Sequence, residues 1–397
     1  MISVEEALAR VLALAGPPSA ETVPLDRAYG RALLEPAAAR LTQPPFDAAA
    51  MDGYALRGAD LDGPQYEGAL RVIGEAAAGH PWTGEAAPGT AIRIFTGAPV
   101  PAGYDRVVMQ EHARREGDRL ILTERTPATH IRSRGGDFAE GDTLAAGRRL
   151  NAADIGLLAA MNVPQVAVAA RPRIALLASG DELVRPGEMP REGQIVSSND
   201  LALAALAAEA GGIPHILPIA RDTEDSLREG LTAAAGCDLI VTLGGASVGD
   251  HDLVGRVAEG MGLERAFYRI AMRPGKPLMA GELSGRPMLG LPGNPVSAMV
   301  CGILFMQPLI RRMQGLPDGL RLSRARLDRD LGPEGDRRHY QRAILSDGPD
   351  LPMIAPFGNQ DSARLSLMSQ ADALLVRPAG DGPRKAGDVV SFLPLVR

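Results

Sequence analysis

Residues 239–252 decide the fold that this sequence predicts, and they read Leu239-Ile-Val-Thr-Leu-Gly-Gly-Ala-Ser-Val-Gly-Asp-His-Asp252. The apolar and partly β-branched start, Leu239–Leu243, is short enough for a buried parallel strand. A helical pattern begins near Val254. The stretch therefore predicts a strand, a glycine-rich loop and the start of a helix.

The loop between that strand and helix combines a permissive backbone with acidic side chains, and it contains Gly244, Gly245, Gly249, Asp250 and Asp252. Glycines allow backbone angles and close approaches that a Cβ would block, so successive N–H groups can surround an anion at the start of the helix. The same loop is equally typical of an ordinary tight turn with a capping aspartate. Its function therefore depends on the rest of the chain.

The length and charge of the chain limit the classes of protein that it can be. A chain of 397 residues is too long for one compact core, and its 45% hydrophobic content supports several cores. The net charge of -6 argues against a nucleic-acid partner or an anionic membrane surface. Any anionic ligand must therefore be held by individual Arg and Lys side chains.

The cysteines and the apolar segments favour a cytoplasmic protein. Cys237 and Cys301 are the only cysteines, and their apolar surroundings predict small buried side chains rather than a disulfide framework or a cysteine-rich metal site. The first residues lack the pattern of a signal peptide. The longest uncharged run, residues 296–310, is shorter than the roughly 20 residues that span a bilayer.

The N-terminal part alternates between helical and β-rich patterns. Ser3 and Glu6 form a capping-box pattern that predicts a first helix, and residues 25–34 predict a second. Short β-rich runs follow at residues 70–73, 91–95, 106–109 and 120–122, divided by Gly and Pro. A helix over residues 154–161 and a strand over Gln165–Ala169 then return the chain to its first segment.

From residue 173 to residue 313 strands and helices alternate, which predicts a doubly wound, mostly parallel α/β sheet. The predicted strands are residues 174–178, 215–219, 239–243, 267–270 and 287–291, and the predicted helices are residues 201–210, 227–235, 253–261 and a long helix from residue 296. The residues beyond 315 return to short strands and predict a small C-terminal β-barrel. The expected domains are residues 1–40 with 141–170 (N-terminal helices and connecting segment), 41–140 (inserted β-rich domain), 171–315 (α/β domain) and 316–397 (barrel).

Acidic residues follow the first three strands of the predicted α/β sheet, namely Asp181, Glu182, Asp222, Asp250 and Asp252. Because the carboxyl ends of parallel strands share one edge of the sheet, these side chains are expected to lie together. One or two carboxylates with phosphate oxygens are the usual environment of Mg²⁺. The alternative is that the acids cap helices, which weighs equally for Asp222 because Thr223 and a helix follow it.

The next strand leads to the loop Arg273-Pro-Gly-Lys-Pro277, which combines positive charge with rigidity. Two prolines stiffen the loop, so Arg273 and Lys276 can present fixed charge to an oxyanion with little loss of entropy. The alternative is a solvated basic turn. Its place beside the acids favours an oxyanion site.

Six motifs in order over residues 2–395 together resemble the molybdopterin molybdenumtransferase family, which includes the gephyrin E domain. They are Ala50-Met-Asp-Gly-Tyr54, Thr96-Gly-Ala-Pro-Val-Pro101, Ser179-Gly-Asp-Glu-Leu183, Gly244-Gly-Ala-Ser-Val-Gly249, Arg273-Pro-Gly-Lys-Pro277 and Leu291-Pro-Gly-Asn-Pro-Val-Ser297. Each motif is weak alone, whereas six in the family's order are specific.

The resemblance implies an elongated homodimer of four-domain chains that inserts molybdate into adenylylated molybdopterin and releases AMP, with Mg²⁺ as cofactor. It implies catalytic roles for Glu182, Asp222, Asp252, Asp52, Thr96 and Asp137, with Asp222 and Asp252 handling the metal. It implies substrate binding by Gly244, Gly245, Ser247, Gly249, Arg273, Lys276, Pro277, Pro292, Pro295, Arg342 and Ser362. In such a dimer the β-rich domain is expected to reach the partner's active site.

Two departures from the family pattern affect the predicted oxyanion site. Arg269 and Arg273 stand where lysines are common, and Asp361 stands beside Ser362 where glycine is frequent. The choice between molybdate and tungstate is therefore open. Two rival functions also remain: adenylylation of molybdopterin or cleavage of another nucleotide pyrophosphate by the same α/β domain, and a gephyrin-like non-catalytic scaffold.

Overall fold

The N-terminal helix packs against the α/β core rather than against the chain that follows it. In the computed structural model, which describes residues 1–62, 68–244 and 253–395, this helix spans Val4–Leu12. Ser3 is its N-cap, and the Ser3 Oγ accepts a hydrogen bond from the Glu6 N–H at 3.1 Å. The apolar face with Val4, Ala7 and Val11 is buried in the core of the α/β domain. The predicted first helix is confirmed.

The next residues form a small sheet, and the helix predicted for residues 25–34 is wrong. The sheet has the strand order Ala20–Pro24, Gln165–Ala169, Ala32–Leu33 and Arg148–Arg149. Residues Leu25–Arg27 form only one 3₁₀ turn. Gly30 then adopts a φ of 74°, and its N–H bonds the carbonyl of Leu150 instead of a preceding helical turn. Tertiary pairing therefore overrides the local helical pattern.

The helix Ala152–Ala160 and the strand Gln165–Ala169 are confirmed where the sequence predicts them. Asn151 and Asp154 form a complete capping box at the start of this helix, in which each side chain accepts from the other's backbone N–H. The strand pairs antiparallel with Ala20–Pro24. The chain thus returns to its first segment after the β-rich part.

The β-rich part contains a six-stranded sheet with apolar clusters on both of its faces. Its strand order is Arg106–Met109, Gly53–Leu56, Thr90–Ile94, Leu70–Ala76, Arg119–Leu122 and Ala113–Glu116. A short helix, Ala59–Asp62, and a 3₁₀ turn, Gln110–His112, connect some of these strands. Two small ladders, Ala48–Ala49 with Ile131–Arg132 and Ala37–Ala38 with Thr143–Leu144, join the part to the preceding sheet.

A six-stranded mixed sheet forms the centre of the α/β domain. Its strand order is Ile213–Ile216, Arg173–Ala178, Leu239–Leu243, Arg286–Leu291, Pro277–Leu283 and Leu263–Arg269. The first four strands pair in parallel, Pro277–Leu283 pairs antiparallel with Arg286–Leu291, and Leu263–Arg269 pairs antiparallel with Pro277–Leu283. The strand Pro277–Leu283 is absent from the sequence prediction, since it begins at a proline and contains Gly281. A short parallel pair, Leu183–Val184 with Ile195–Val196, follows the second strand in this order.

Helices cover both faces of this sheet, as doubly wound folds require. The helices Glu224–Ala233 and Leu253–Gly260 lie over one apolar cluster, with a 3₁₀ turn at Ala234–Gly236. The helix Asn199–Glu209 and the helical run Pro295–Cys301, Gly302–Met306 and Gln307–Arg312 lie over the other. The middle of that run is π-helical and ends two residues before Pro308, which lacks the N–H needed for a regular helical bond.

The C-terminal residues form a closed five-stranded barrel that is joined to the α/β domain. The strands Arg338–Ser346, Met353–Pro356, Ser323–Leu327, Val389–Pro394 and Ala373–Arg377 pair in this order, and the last pairs again with the first. A helix, Leu365–Gln370, connects two of them. The short strand Met272–Arg273 pairs with Arg338 and His339 of the barrel.

The fold class is confirmed: a doubly wound α/β domain is combined with an inserted β-rich part and a small C-terminal barrel. The exact domain limits stay a prediction. Within the described ranges, no helix is both long enough and apolar enough to cross a membrane.

Candidate functional site

The carboxyl ends of the parallel strands border a cavity of about 1010 Å³, which we call the cleft. Ligand sites in open α/β sheets lie at this edge because the strand ends leave a crevice between the connecting loops. The polar and turn-forming residues that line the cleft are Ser179, Gly180, Glu182, Ser197, Ser198, Asn199, Asp222, Gly244, Arg256, Pro277, Pro292, Gly293, Asn294, Pro295 and Ser297. The volume suits a ligand of the size of a nucleotide or pterin compound.

Glu182 lies in the cleft because the residue two positions before it has no side chain. Gly180 has a φ of 152°, and a Cβ on it would lie 2.4 Å from the Glu182 Oε2. The Glu182 carboxylate therefore folds back over the backbone of Gly180, and the Glu182 carbonyl accepts the Ile195 N–H at 2.8 Å. Both features direct this acid towards the end of the strand Arg173–Ala178.

Asp222 also lines the cleft, and it does not cap the helix that follows it. Thr223 is the N-cap of the helix Glu224–Ala233, and its side chain accepts from the Ser226 N–H at 3.3 Å. The Asp222 N–H faces the Asp181 carboxylate at 3.4 Å. Since Thr223 fills the capping role, the alternative that Asp222 is only a helix cap is wrong, and its carboxylate belongs to the same cleft as Glu182.

The basic loop, residues 273–277, borders the cleft through Pro277. The Arg273 and Lys276 side chains are exposed, beside rather than within the described lining. Gly275 has a φ of 104°, and a Cβ on it would lie 2.6 Å from the Cys301 Sγ. Complete burial raises the pKa of the Cys301 thiol, so this cysteine is an apolar support for the loop.

The turn before the helix Pro295–Cys301 connects three parts of the site. The Asn199 Nδ2 donates to the Gly293 carbonyl at 2.7 Å. The Asn294 Nδ2 donates to the Ser362 Oγ at 3.2 Å, and the Val296 N–H donates to the Ser362 carbonyl at 3.1 Å. The barrel loop with Ser362 therefore satisfies a free N–H at the start of this helix and closes one side of the cleft.

Arg342 is almost completely buried beside the loop that carries Ser362. Only 1% of this residue is exposed, and its guanidinium donates to the carbonyls of Arg364, Asp361 and Asn359 at 2.9, 3.0 and 3.4 Å. Its Nε also donates to the Gln360 Oε1 at 3.3 Å. These donors hold the loop of residues 359–364, which carries Ser362, and direct substrate binding by Arg342 stays a prediction.

Asp361 likewise serves its own loop. The Asp361 Oδ1 accepts the Ala363 N–H at 2.9 Å, and the Asp361 N–H donates to the Asn359 Oδ1 at 2.8 Å. The extra charge beside Ser362, a departure from the family pattern, is thus partly compensated by a backbone donor.

Asp52 and Thr96 lie together in the β-rich part. The Asp52 Oδ1 accepts hydrogen bonds from the Thr96 N–H at 2.8 Å and from the Thr96 hydroxyl at 2.7 Å. These two donors, with Arg93 nearby, lower the pKa of the Asp52 carboxyl. The Asp137 N–H donates to the Gln43 carbonyl, so Asp137 lies on the connection between the β-rich part and the preceding sheet.

The structure brings together Glu182, Asp222, Gly244, Pro277, Pro292 and Pro295 in one cleft, with Arg273, Lys276 and Ser362 at its side. The described lining contains no residue from positions 41–140, so Asp52, Thr96 and Asp137 lie elsewhere in this chain. The predicted residues Gly245, Ser247, Gly249 and Asp252 fall outside the described residues. Sequence reasoning missed Ser179, Asn199 and Arg256, although the polar run Ser197-Ser198-Asn199 ahead of a helix is a signal for the second.

The donor set of the cleft fits a magnesium ion bound with a phosphate ligand. Within residues 1–62, 68–244 and 253–395, no group of three or more His, Cys, Asp or Glu side chains is arranged to hold a metal ion by itself. Mg²⁺ needs only one or two carboxylates when it also binds phosphate oxygens. Glu182 and Asp222 supply two carboxylates to the same cleft.

Comparison with known proteins agrees with this geometry. Residues 2–162 match the MoeA N-terminal region (domain I and II), residues 175–312 the probable molybdopterin binding domain, and residues 324–395 the MoeA C-terminal region (domain IV). The chain is 38% identical to a molybdopterin molybdenumtransferase of Nostoc, over 94% of this chain and 88% of that protein. It is 35% identical to one of Haemophilus influenzae, over 99% and 98%. A molybdopterin biosynthesis MoeA protein of Pyrococcus horikoshii has a similar structure, with a TM-score of 0.86, 28% identity and 100% of both chains covered.

Proposed function

This chain belongs to the molybdopterin molybdenumtransferase family, and from that premise we propose that it transfers molybdenum from molybdate to adenylylated molybdopterin and releases AMP. It is accordingly a transferase of molybdenum cofactor biosynthesis. The observation that carries the finer proposal is the cleft, because it combines carboxylates with an adjoining rigid basic loop. The carboxylates suit a metal-bound phosphate, and the basic loop suits a second, tetrahedral oxyanion.

The acids of the cleft bind Mg²⁺ in this proposal. Glu182 and Asp222 line the cleft, and Asp252 follows the neighbouring strand in sequence. When bound, Mg²⁺ would neutralise negative charge on the phosphate that leaves with AMP. Without a cation these carboxylates would repel a phosphate, so they would hold it only through Mg²⁺.

The basic loop holds molybdate in this proposal. Arg273 and Lys276 are exposed on a loop whose backbone is packed against Cys301 and paired with the barrel at His339. Their charges therefore approach an oxyanion with little rearrangement. Ser362, held by Arg342 through the loop of residues 359–364, offers a hydroxyl on the barrel side. Pro277 joins this oxyanion site to the cleft.

The residues of the β-rich part act on the partner's cleft in this proposal, so that the enzyme is a homodimer with two shared sites. The support is that Asp52 and Thr96 lie in family motifs and Asp137 matches a functional position of the family, although the described lining of the cleft holds none of positions 41–140. A closed two-fold dimer would place each β-rich part at the other chain's cleft. Cytoplasmic location and the lack of nucleic-acid or membrane partners stay predictions.

The reaction is tested by measuring AMP release from adenylylated molybdopterin while molybdate and Mg²⁺ are varied independently. We expect AMP release to require both. AMP release that does not respond to molybdate would favour the rival function, cleavage of a nucleotide pyrophosphate, and absence of AMP release would favour a scaffold.

The shared site is tested by mixing two inactive variants, Asp52→Ala and Asp252→Ala. In a shared-site heterodimer one site carries both lesions and the other carries neither, so activity reappears on subunit exchange. A mixture that exchanges subunits but stays inactive contradicts the shared site. The matched control is a mixture of Asp222→Ala and Asp252→Ala, whose lesions belong to the same chain's cleft and cannot complement.

A further inference from the structure

Among the described residues of the α/β domain, two hydroxyl groups are buried without a hydrogen-bond partner. They are the Oγ of Ser179, a residue 5% exposed, and the Oγ1 of Thr242, a residue 1% exposed. Most buried polar side chains in folded proteins have a partner, so each exception needs an explanation. Leaving such a group unpaired opposes folding, because its hydrogen bond to water is lost and not replaced.

The two hydroxyls differ in their surroundings. Ser179 lines the cleft directly after the strand Arg173–Ala178. Thr242 is in the middle of the strand Leu239–Leu243 and is not among the described residues that line the cleft. Its Oγ1 lies against Gly290 of the neighbouring strand, 3.4 Å from where a Cβ on that glycine would be. Of these two residues, only Ser179 lines the cleft, so only its hydroxyl lies beside a ligand bound there.

Besides the carboxylates of Glu182 and Asp222, the cleft contains groups that can bind an anionic partner. Gly244 approaches Ser179 closely, since a Cβ on Gly244 would lie 2.8 Å from the Ser179 carbonyl oxygen. Arg256 is the one cationic side chain among the described lining residues, and no described side chain forms an ion pair or hydrogen bond with its guanidinium. A hydroxyl donor and a guanidinium on the same cleft match the oxygens of a phosphate group.

The strand order separates this wall from the basic loop. The strand before Ser179 is followed in the sheet by Leu239–Leu243, then Arg286–Leu291, and then the strand that begins at Pro277. Three strand spacings amount to roughly 14 Å. An oxyanion held by Arg273 and Lys276 is therefore too far away to bond the Ser179 hydroxyl.

We propose that Ser179 is a further substrate-contacting residue whose hydroxyl donates a hydrogen bond to a phosphoryl oxygen of the substrate bound in the cleft. The proposal rests on the proposed function for the identity of the substrate, whose phosphoryl groups belong to its pterin half or to its adenylate half. The bound phosphate thus supplies the hydrogen-bond partner that the Ser179 hydroxyl lacks in the folded chain.

The test compares Ser179→Ala with a control variant, Thr242→Val. The control removes the other unpartnered hydroxyl, which belongs to a residue that is not among the described lining of the cleft. Both variants are expected to be as stable as the parent protein or more stable in thermal unfolding, because each loses an unpaired buried hydroxyl. Ser179→Ala should raise the KM for adenylylated molybdopterin about tenfold, which corresponds to about 1.4 kcal/mol. Its KM for molybdate should stay unchanged, and Thr242→Val should change neither constant.

Direct titration with AMP and with molybdopterin shows which phosphoryl group Ser179 contacts. Weaker binding of AMP to Ser179→Ala assigns the adenylate, and weaker binding of molybdopterin assigns the pterin phosphate. Ser179→Cys keeps the side-chain size with a poorer donor and should show the same losses, which guards against a packing effect of alanine.

Two results overturn the proposal. The first is that Ser179→Ala and Thr242→Val have the same KM for adenylylated molybdopterin and bind AMP and molybdopterin equally well. The second is that Ser179→Ala loses stability, which would reveal a structural hydrogen-bond partner of the hydroxyl. Failure of the proposed function is seen separately. In that case the parent protein itself shows no molybdate-dependent AMP release, while the two titrations still decide whether Ser179 contacts a phosphoryl group.

Discussion

Replacing Arg342 with methionine should release the loop of residues 359–364 from the barrel. The change removes the donors to three backbone carbonyls and to the Gln360 Oε1. A hydrogen bond from a charged donor contributes about 1.5–3 kcal/mol, and water can replace part of it because the loop is partly exposed. We therefore expect the free energy of unfolding to fall by about 2–4 kcal/mol, less than the sum of the separate bonds.

The same change should weaken the oxyanion site through Ser362, which Asn294 and Val296 contact from the α/β domain. Urea unfolding measures the stability, and steady-state AMP release measures the KM for molybdate and for the pterin substrate separately. Displacing the Ser362 hydroxyl should weaken molybdate binding by about 1 kcal/mol, so we expect the KM for molybdate to rise several-fold. The KM for the pterin substrate should change less.

Arg326→Met is the matched control within the same barrel. Arg326 bonds both Asp350 oxygens, at 2.9 and 2.7 Å, and the Gly387 carbonyl, near the opposite end of the strand Met353–Pro356. Its loss should lower stability without changing either KM. A rise in the KM for molybdate with unchanged stability of Arg342→Met would refute the reasoning, because Arg342 would then serve the ligand rather than the loop.

Three further changes test other parts of the site. Lys276→Ala should raise the KM for molybdate about tenfold and leave that for the pterin substrate unchanged, since the exposed ammonium serves the oxyanion; an effect confined to the pterin substrate contradicts this. Gly180→Ala places a Cβ 2.4 Å from the Glu182 Oε2 at an unfavourable φ, so AMP release should fall at least about tenfold; unchanged kcat/KM would show that the Glu182 position is unimportant. Thr96→Val removes one of the donors that depress the pKa of Asp52, so this pKa should rise in carboxyl NMR titration. Because the pKa of Asp52 is depressed in the folded protein, the stability that Asp52 contributes is present above the ordinary aspartate pKa and is lost as the pH falls through the folded pKa. Thr96→Val should therefore narrow the pH range between the folded pKa of Asp52 and the ordinary aspartate pKa.

The sequence alone determined the main architecture and the position of part of the candidate cleft. Strand and helix periodicities placed the central elements within a few residues, because buried strands such as Leu239–Leu243 and amphipathic helices carry their burial pattern in the chain itself. Acids after successive strands placed Glu182 and Asp222 at one edge, since the carboxyl ends of parallel strands must meet there. These inferences needed only local patterns and one rule of topology.

Tertiary structure decided which polar groups are free for a ligand. Residues 25–34, predicted to be helical, contain the short strand Ala32–Leu33 instead. The Gly30 N–H donates to the carbonyl of the distant Leu150, and local helix propensity contains no information on such a contact. Arg342 and Ser179 illustrate what the sequence could not show. The guanidinium of Arg342 donates to the carbonyls of its own loop, whereas the hydroxyl of Ser179, a residue that lines the cleft, has no hydrogen-bond partner. Whether a hydrogen-bonding group is satisfied depends on neighbours that are distant in sequence and close in space, and only the folded chain brings those neighbours together.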